Sequence, residues 1–311
     1  MIKKDRVAVC SRSFSRHPIL RGELMSRYAH VTFNDSGQQL EGECLINFLK
    51  GHKLAITGLE KINDEILHRL PELEVIAKYG VGLDMIDLNA MRRHKKRLGW
   101  TGGVNCRSVA ELTLAFSIIM IRKVALANKS VVDGTWHQIK GGQLTGKTVG
   151  IIGCGNAGKD FIRLLHPFGC NILVNDVNSY PSFYSEFNVK PVELTNLLAQ
   201  SDIVSIHVPL DQSTRNMMSA ERLALMRPTS ILINVARGNI VDENALKQML
   251  ISNKLAAAAF DVFTVEPPRD IELLRLPNFF ATPHIGGSSE EAILAMGFAA
   301  INGLEKNSLP L

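Results

Sequence analysis

Short apolar runs alternate along most of the chain with stretches of helical periodicity. Residues 7–10, 53–57 and 73–78 read as strands in the first hundred residues. Between them lie helical patterns such as 64–70, which is expected to stop before Pro71. Further on, residues 149–152, 171–175, 202–206, 230–234 and 256–262 read as strands. Residues 193–199 and 242–250 read as helices, and 288–304 as one amphipathic helix at the tail. This alternation predicts an α/β fold with parallel sheets. Residues 107–122 are nearly all apolar, which predicts a helix buried between domains or subunits.

One of these strand-to-helix junctions carries chemistry. The run Val149-Gly150-Ile151-Ile152 feeds Gly153-Cys154-Gly155-Asn156-Ala157-Gly158, and a helical pattern follows from Lys159. The next apolar strand, Asn171 to Asn175, ends on Asp176. A GxGxxG spacing alone also fits ordinary turns. With a strand before it, a helix after it and an acid closing the next strand, it reads as a dinucleotide fingerprint. Gly153 permits the tight turn, Gly155 lets the backbone approach a pyrophosphate, and Gly158 lets the helix pack close to the strand. The pyrophosphate would lie on the helix N-terminus. Asp176 stands where a carboxylate can accept from the adenosine ribose, and nothing basic follows in Val177-Asn178-Ser179-Tyr180. About a hundred residues precede this unit, so a second domain is expected.

Composition narrows the class. A chain of 311 residues fits two domains, and 46% hydrophobic with 21% charged residues is ordinary for a globular protein. No apolar run is long enough for a membrane span, and the N-terminal run is too short for a signal peptide. Five scattered cysteines without CxxC spacing predict reduced thiols, a cytoplasmic location and no metal site. The net charge of +5 is modest. The one basic run, Arg92-Arg93-His94-Lys95-Lys96-Arg97, lacks interleaved aromatics and reads as the solvated end of a helix, so no nucleic-acid partner is expected.

Three charged residues stand at ends of apolar segments in the second half: Arg237, Glu266 and His284. In open α/β sheets, ligands bind beyond the carboxyl ends of strands. A guanidinium can fork a carboxylate, an imidazole can exchange a proton near neutral pH, and an adjacent carboxylate favours the charged imidazole. Together they meet the needs of hydride transfer at a 2-hydroxy acid. Each alone also fits a structural role, and spacing does not show that they converge.

The chain resembles the D-isomer-specific 2-hydroxyacid dehydrogenases, most nearly the 3-phosphoglycerate dehydrogenase branch. The resemblance rests on Tyr79-Gly80-Val81-Gly82-Leu83-Asp84, Ser108-Val109-Ala110-Glu111-Leu112 and the glycine fingerprint. It continues through His207-Val208-Pro209-Leu210, Asn234-Val235-Ala236-Arg237-Gly238, Asp261-Val262-Phe263, Glu266-Pro267-Pro268 and Pro283-His284-Ile285-Gly286-Gly287. It implies two Rossmann-like doubly wound domains with an active cleft between them. The NAD-binding domain (103–283) would be inserted into a substrate domain (1–102 and 284–311). It implies His284 as proton donor in reduction, Glu266 as its partner, and Arg237 as the group that binds the substrate carboxylate. Backbone amides at Val81 and Gly82 would hold that carboxylate too. The cofactor would be NAD, bound by Gly153, Gly155, Asn156, Ala157, Gly158 and Asp176 at one end. At the other end it would meet His207, Val208, Pro209, Thr214, Ala236, Asp261, His284 and Gly286. A homodimer formed through the fingerprint domain is implied as well.

Three departures qualify the resemblance. Asn156-Ala157 replaces the usual Arg-Ile of the family, the phosphoglycerate branch has an arginine where Thr57 stands, and the sequence ends at Leu311, short of the branch's regulatory domain. The expected reaction is therefore NAD(H)-linked interconversion of a small D-2-hydroxy acid and its 2-oxo acid. Candidate substrates are 3-phosphoglycerate-like acids or those of a hydroxypyruvate or glyoxylate reductase. A different class is a non-catalytic dinucleotide sensor resembling the corepressors that share this fold. Formate oxidation is disfavoured, because formate enzymes of the family have a glutamine where Glu266 stands.

Overall fold

The computed structural model describes residues 2–310. The chain divides into two compact units, Met1–Asn105 with Ser289–Leu311, and Cys106–Ser288. Both are α/β, each built on one parallel sheet.

The first unit holds β1 (Lys3–Val9), β2 (Tyr28–Phe33), β3 (Leu54–Thr57), β4 (Val75–Lys78) and β5 (Arg97–Gly99), in the order β2-β1-β3-β4-β5. β3 and β4 are buried along their whole length, as central parallel strands covered on both faces must be. The expected strands at 53–57 and 73–78 are there, each slightly shorter. β2 lies at the sheet edge and keeps only Tyr28 buried. The helix expected over 64–70 ends at His68, with Asn63 as its N-cap, accepting from the Ile66 amide at 3.0 Å. The tail helix is Glu290–Gly303, capped by Ser289. It packs Met296, Ala300 and Ile301 into the cluster of Val7, Val9, Leu20 and Leu24. Contact there is backbone-close: a Cβ on Gly99 would lie 2.1 Å from the Gly303 carbonyl oxygen.

The basic run is only partly solvated. Arg93 and His94 reach Asp64, at 2.6 and 3.2 Å. Lys96 is buried and donates to the Leu70 and Pro71 carbonyls, each at 2.9 Å.

The second unit holds β6 (Thr148–Ile152), β7 (Asn171–Asn175), β8 (Val189–Pro191), β9 (Ile203–Ile206), β10 (Ile231–Asn234), β11 (Ala257–Phe260) and β12 (Phe279–Ala281). Their order is β12-β11-β10-β9-β6-β7-β8, all parallel. Consecutive strands run one way from β6 to β8 and the other way from β9 to β12. The sheet therefore reverses direction between β6 and β9, which is where doubly wound sheets bind ligands. Separate apolar clusters cover its two faces.

The apolar helix is Cys106–Ile121, and it is less buried than its composition implies. Ala110, Thr113, Phe116, Ser117 and Met120 are buried, whereas Leu112, Leu114, Ile118, Ile119 and Ile121 are half-buried. The next helix, Val124–Val132, buries no residue.

Candidate active site

The fingerprint turn is built at the end of β6. Gly153 has φ +97, and a Cβ there would lie 2.8 Å from the His207 backbone. A Cβ on Gly158 would lie 2.1 Å from the Gly153 carbonyl oxygen, so the helix Asn156–Leu165 sits as close to the strand as glycine allows. Gly155 differs: nothing lies within 4 Å of a Cβ built on it. It is the N-cap of that helix and no side chain caps the exposed amides. Open space over uncapped amides suits a pyrophosphate. Asp176 closes β7 beside this turn. Its Oδ2 accepts from the Cys154 amide at 2.5 Å and its Oδ1 from the Asn178 amide at 2.7 Å. Each oxygen keeps a further lone-pair direction for a ribose hydroxyl. Burial pushes the Cys154 thiol up to about 11, opposed by Lys159 and reinforced by Asp176.

The three charged residues expected to act together all belong to the second unit. His284 Nδ1 donates to Glu266 Oε2 at 2.8 Å. Glu266 Oε1 accepts from the Phe263 amide at 3.0 Å, which fixes the carboxylate. The Glu266 hydrogen bond holds the His284 imidazolium to higher pH against the opposing effect of burial, with added charge from Glu266 and Asp261. Burial is the largest single influence on Glu266 and raises it. The His284 hydrogen bond, the Phe263 amide and the His284 and Arg237 charges together bring it below the usual carboxylate range. Arg237 lowers both groups and so lies within electrostatic reach of the pair. Its Nη1 donates to the Ala236 carbonyl at 2.7 Å, and its own carbonyl accepts from Asn234 Nδ2 at 2.9 Å. The neighbouring Gly238 is obligatory, since a Cβ there would lie 2.0 Å from the Phe263 carbonyl oxygen.

A family model for the NAD-binding domain of the D-isomer specific 2-hydroxyacid dehydrogenases matches residues 114–286. The chain belongs to this family. It is 37% identical over 258 residues to a hydroxypyruvate reductase of Thermotoga maritima, covering 81% of this chain and 83% of that one. It is 35% identical to a D-3-phosphoglycerate dehydrogenase of Methanocaldococcus jannaschii over 81% of this chain, but spans only 49% of that protein. A glyoxylate reductase structure from Paecilomyes thermophila superposes with a TM-score of 0.87 at 25% identity, covering 98% of this chain and 95% of that one. As a family member the protein is an NAD-dependent dehydrogenase.

The remaining expected site residues of this dehydrogenase are drawn from both units. His207, Val208, Pro209 and Thr214 form a loop after β9 that its own side chains hold. Thr214 Oγ1 donates to the Pro209 carbonyl at 2.6 Å and accepts from the Asp211 amide at 2.9 Å. His207 Nε2 lies 2.9 Å from Ser205 Oγ, and burial lowers its pKa to about 4, so the ring is neutral. Its Nδ1 is buried without a partner. Ala236 is buried and its amide donates to Asn234 Oδ1 at 3.1 Å. Val81 and Gly82 follow β4 in the first unit, where the Val81 carbonyl accepts from Trp100 Nε1 at 2.9 Å.

Asp261 is 1% exposed and its oxygens are turned to the His284 loop. Oδ1 accepts from Thr282 Oγ1 at 2.5 Å and from the Ile285 amide at 2.8 Å, and Oδ2 accepts from the Gly286 amide at 2.7 Å. This clamp brackets His284, whose φ of +57 is unusual for a side-chain-bearing residue. Holding it there costs roughly 1–3 kcal/mol. Thr282 was not among the expected site residues. Its signal is its place two residues before His284, in a loop that must be held in a strained form.

Proposed function

We propose that the protein reduces a small 2-oxo acid to the D-2-hydroxy acid with NADH. The observation that carries this reading is the Glu266–His284 hydrogen bond at 2.8 Å with Arg237 in electrostatic reach. When bound, the cofactor supplies the hydride. Asn156 and Ala157 amides would hold its pyrophosphate, and Asp176 its adenosine ribose. The 207–214 loop with Ala236, Asp261 and Gly286 would border the nicotinamide. Arg237 binds the substrate carboxylate as a fork and draws on the C2 oxygen. His284 gives the Nε2 proton to that oxygen, and Glu266 keeps the resulting ring oriented and the charged ring favoured. Val81 and Gly82 amides contribute to carboxylate binding. Turnover with a 2-oxo acid separates this reading from a dinucleotide sensor, since the corepressors that share this fold keep the same three residues.

The substrate class we favour is an acid without a phosphate, of the hydroxypyruvate or glyoxylate kind. Thr57 stands fully buried at the end of β3, at the position where the phosphoglycerate branch has an arginine. The test is a panel of phosphohydroxypyruvate, hydroxypyruvate, glyoxylate and branched-chain 2-oxo acids with NADH, read by loss of nicotinamide absorbance. The largest specificity constant should fall to hydroxypyruvate or glyoxylate. A largest value for phosphohydroxypyruvate refutes the substrate class, and no turnover with any acid refutes the reaction.

We infer a homodimer and a cytoplasmic location on narrower grounds. The Val124–Val132 helix buries nothing, Val132 and Trp136 are 75% and 83% exposed, and the Cys106–Ile121 helix leaves Leu114, Ile118 and Ile121 half-buried. Such an apolar surface suits a second copy. Five free cysteines suit a reducing compartment.

A further inference from the structure

The residue after the third fingerprint glycine has no part in the reading above. Lys159 lies in the first turns of the Asn156–Leu165 helix, and its Nζ sits 3.3 Å from the centroid of the Tyr180 ring and 5.6 Å from that of Phe183. Among the described residues its Nζ forms no ion pair and donates no hydrogen bond, while its amide donates to the Gly155 carbonyl at 2.9 Å. The ring that holds it is four residues beyond Asp176 in the chain, and Tyr184, on the helix that follows, bonds back to the Asn178 carbonyl at 3.4 Å. Both Lys159 and Asp176 act on the Cys154 thiol, with opposite sign, so the two charges flank the same fingerprint turn.

An ammonium resting on a ring face is held only by the ring's quadrupole, and it keeps its three donors for a stronger acceptor. A phosphate offers charge-assisted bonds that a ring does not. The ribose that Asp176 would bind has a 2′-oxygen, and a phosphate on that oxygen would be repelled by the carboxylate but drawn to a cation on the same turn. Ser179 is exposed in the connecting loop and carries a neutral hydroxyl donor.

We propose that Lys159 receives the 2′-phosphate of an NADPH-type dinucleotide, so that the enzyme takes NADPH as a second cofactor beside the NADH that Asp176 favours. The proposal rests on the reading that places the adenosine ribose at Asp176. Tyr180 is the seat from which the ammonium is released when the phosphate arrives.

The test is calorimetric binding to the full chain of two probes, adenosine 2′,5′-bisphosphate and 5′-AMP, with wild type, Lys159→Gln, Lys159→Arg and Asp176→Ala. Lys159→Gln should weaken the bisphosphate by at least about tenfold, the loss of one charge-assisted contact, and leave 5′-AMP within about twofold. Lys159→Arg should restore most of the bisphosphate affinity. Asp176→Ala should weaken 5′-AMP and strengthen the bisphosphate relative to it. The specificity constant for NADPH should fall with bisphosphate affinity across the Lys159 variants. Unchanged bisphosphate binding in Lys159→Gln, or an equal loss for both probes, overturns the proposal while leaving the ribose at Asp176. If 5′-AMP does not bind, or binds Asp176→Ala as it binds wild type, the ribose reading fails and the proposal with it.

Discussion

Glu266 Oε2 and His284 Nδ1 meet at 2.8 Å, and the shared proton ties a strained histidine to a fixed carboxylate. Their side chains are 39% and 42% exposed, so solvent screens the pair, and its use is to tune a proton rather than to stabilise the fold. The His284 pKa is raised, so the ring is protonated below that raised value and loses its proton as pH climbs through it. Reduction needs the protonated ring and should fail on the alkaline side. Glu266→Gln removes the partner charge, and the alkaline limb should move to lower pH. His284→Ala should lower turnover by at least about 100-fold. The pH dependence of kcat for both variants decides the matter, and a limb that stays in place in Glu266→Gln excludes the assigned partnership.

The second expectation concerns Arg237. Its fork is positioned by its own backbone: the Asn234 side chain holds the Arg237 carbonyl, and the Ala236 carbonyl takes one guanidinium nitrogen. A lysine keeps the charge but loses the planar pair of donors. Arg237→Lys should therefore raise KM for the 2-oxo acid and also lower kcat, because carboxylate binding and C2 orientation share the residue. Both constants within about twofold of wild type would place carboxylate recognition elsewhere.

Much of this was legible in the sequence because its causes are local. The glycine spacing, the strand before it and Asp176 after it lie within one βαβ unit, and β7 appears at its expected residues. β3, β4, β9 and β10 are short apolar runs buried end to end, so composition alone marks them. β2 was missed because its sequence Tyr-Ala-His-Val-Thr-Phe sits at an edge and leaves most positions partly or fully exposed. β8 and β12 are three-residue edge strands and carry too little pattern to be seen. At the site, the meeting of Glu266 with His284 across 18 residues is a product of loop closure. Only the family resemblance suggested it. The Asp261 clamp on the His284 loop was invisible, because nothing in the spacing of Asp261, Thr282 and Gly286 says which way a carboxylate turns.

A third expectation follows from Asp176. Its two oxygens already accept from the Cys154 and Asn178 amides, which fixes the carboxylate at the end of β7 rather than leaving it to swing. It can accept from both hydroxyls of an adenosine ribose, and a 2′-phosphate would remove one of these bonds and add like charge. Wild type should favour NADH over NADPH by at least about tenfold, equivalent to ~1.4 kcal/mol. Asp176→Ala should narrow or reverse that ratio. Steady-state specificity constants for the two cofactors measure it, and an unchanged ratio in the variant removes Asp176 from cofactor selection.

The last expectation separates folding from binding within one motif. Gly155 and Gly158 are three residues apart, yet a methyl group would meet open space at the first and the Gly153 carbonyl oxygen at 2.1 Å at the second. Gly155 also has an extended backbone, φ −76 and ψ −157, that alanine adopts without strain. Gly155→Ala should therefore leave the melting temperature of the cofactor-free protein within about 2 °C, since nothing is overpacked. Its methyl group would stand where the pyrophosphate must approach, so NADH affinity should fall by at least about tenfold, the loss of ~1.4 kcal/mol. Gly158→Ala should cost stability first: overpacking of ~1–3 kcal/mol is expected, and each kcal/mol is about 2–4 °C in a domain of this size. Thermal melts without cofactor, paired with NADH titration by fluorescence, give both readings. Equal melting losses in the two variants would mean that the Gly155 face is packed rather than open, and the cofactor cradle would then have to lie elsewhere.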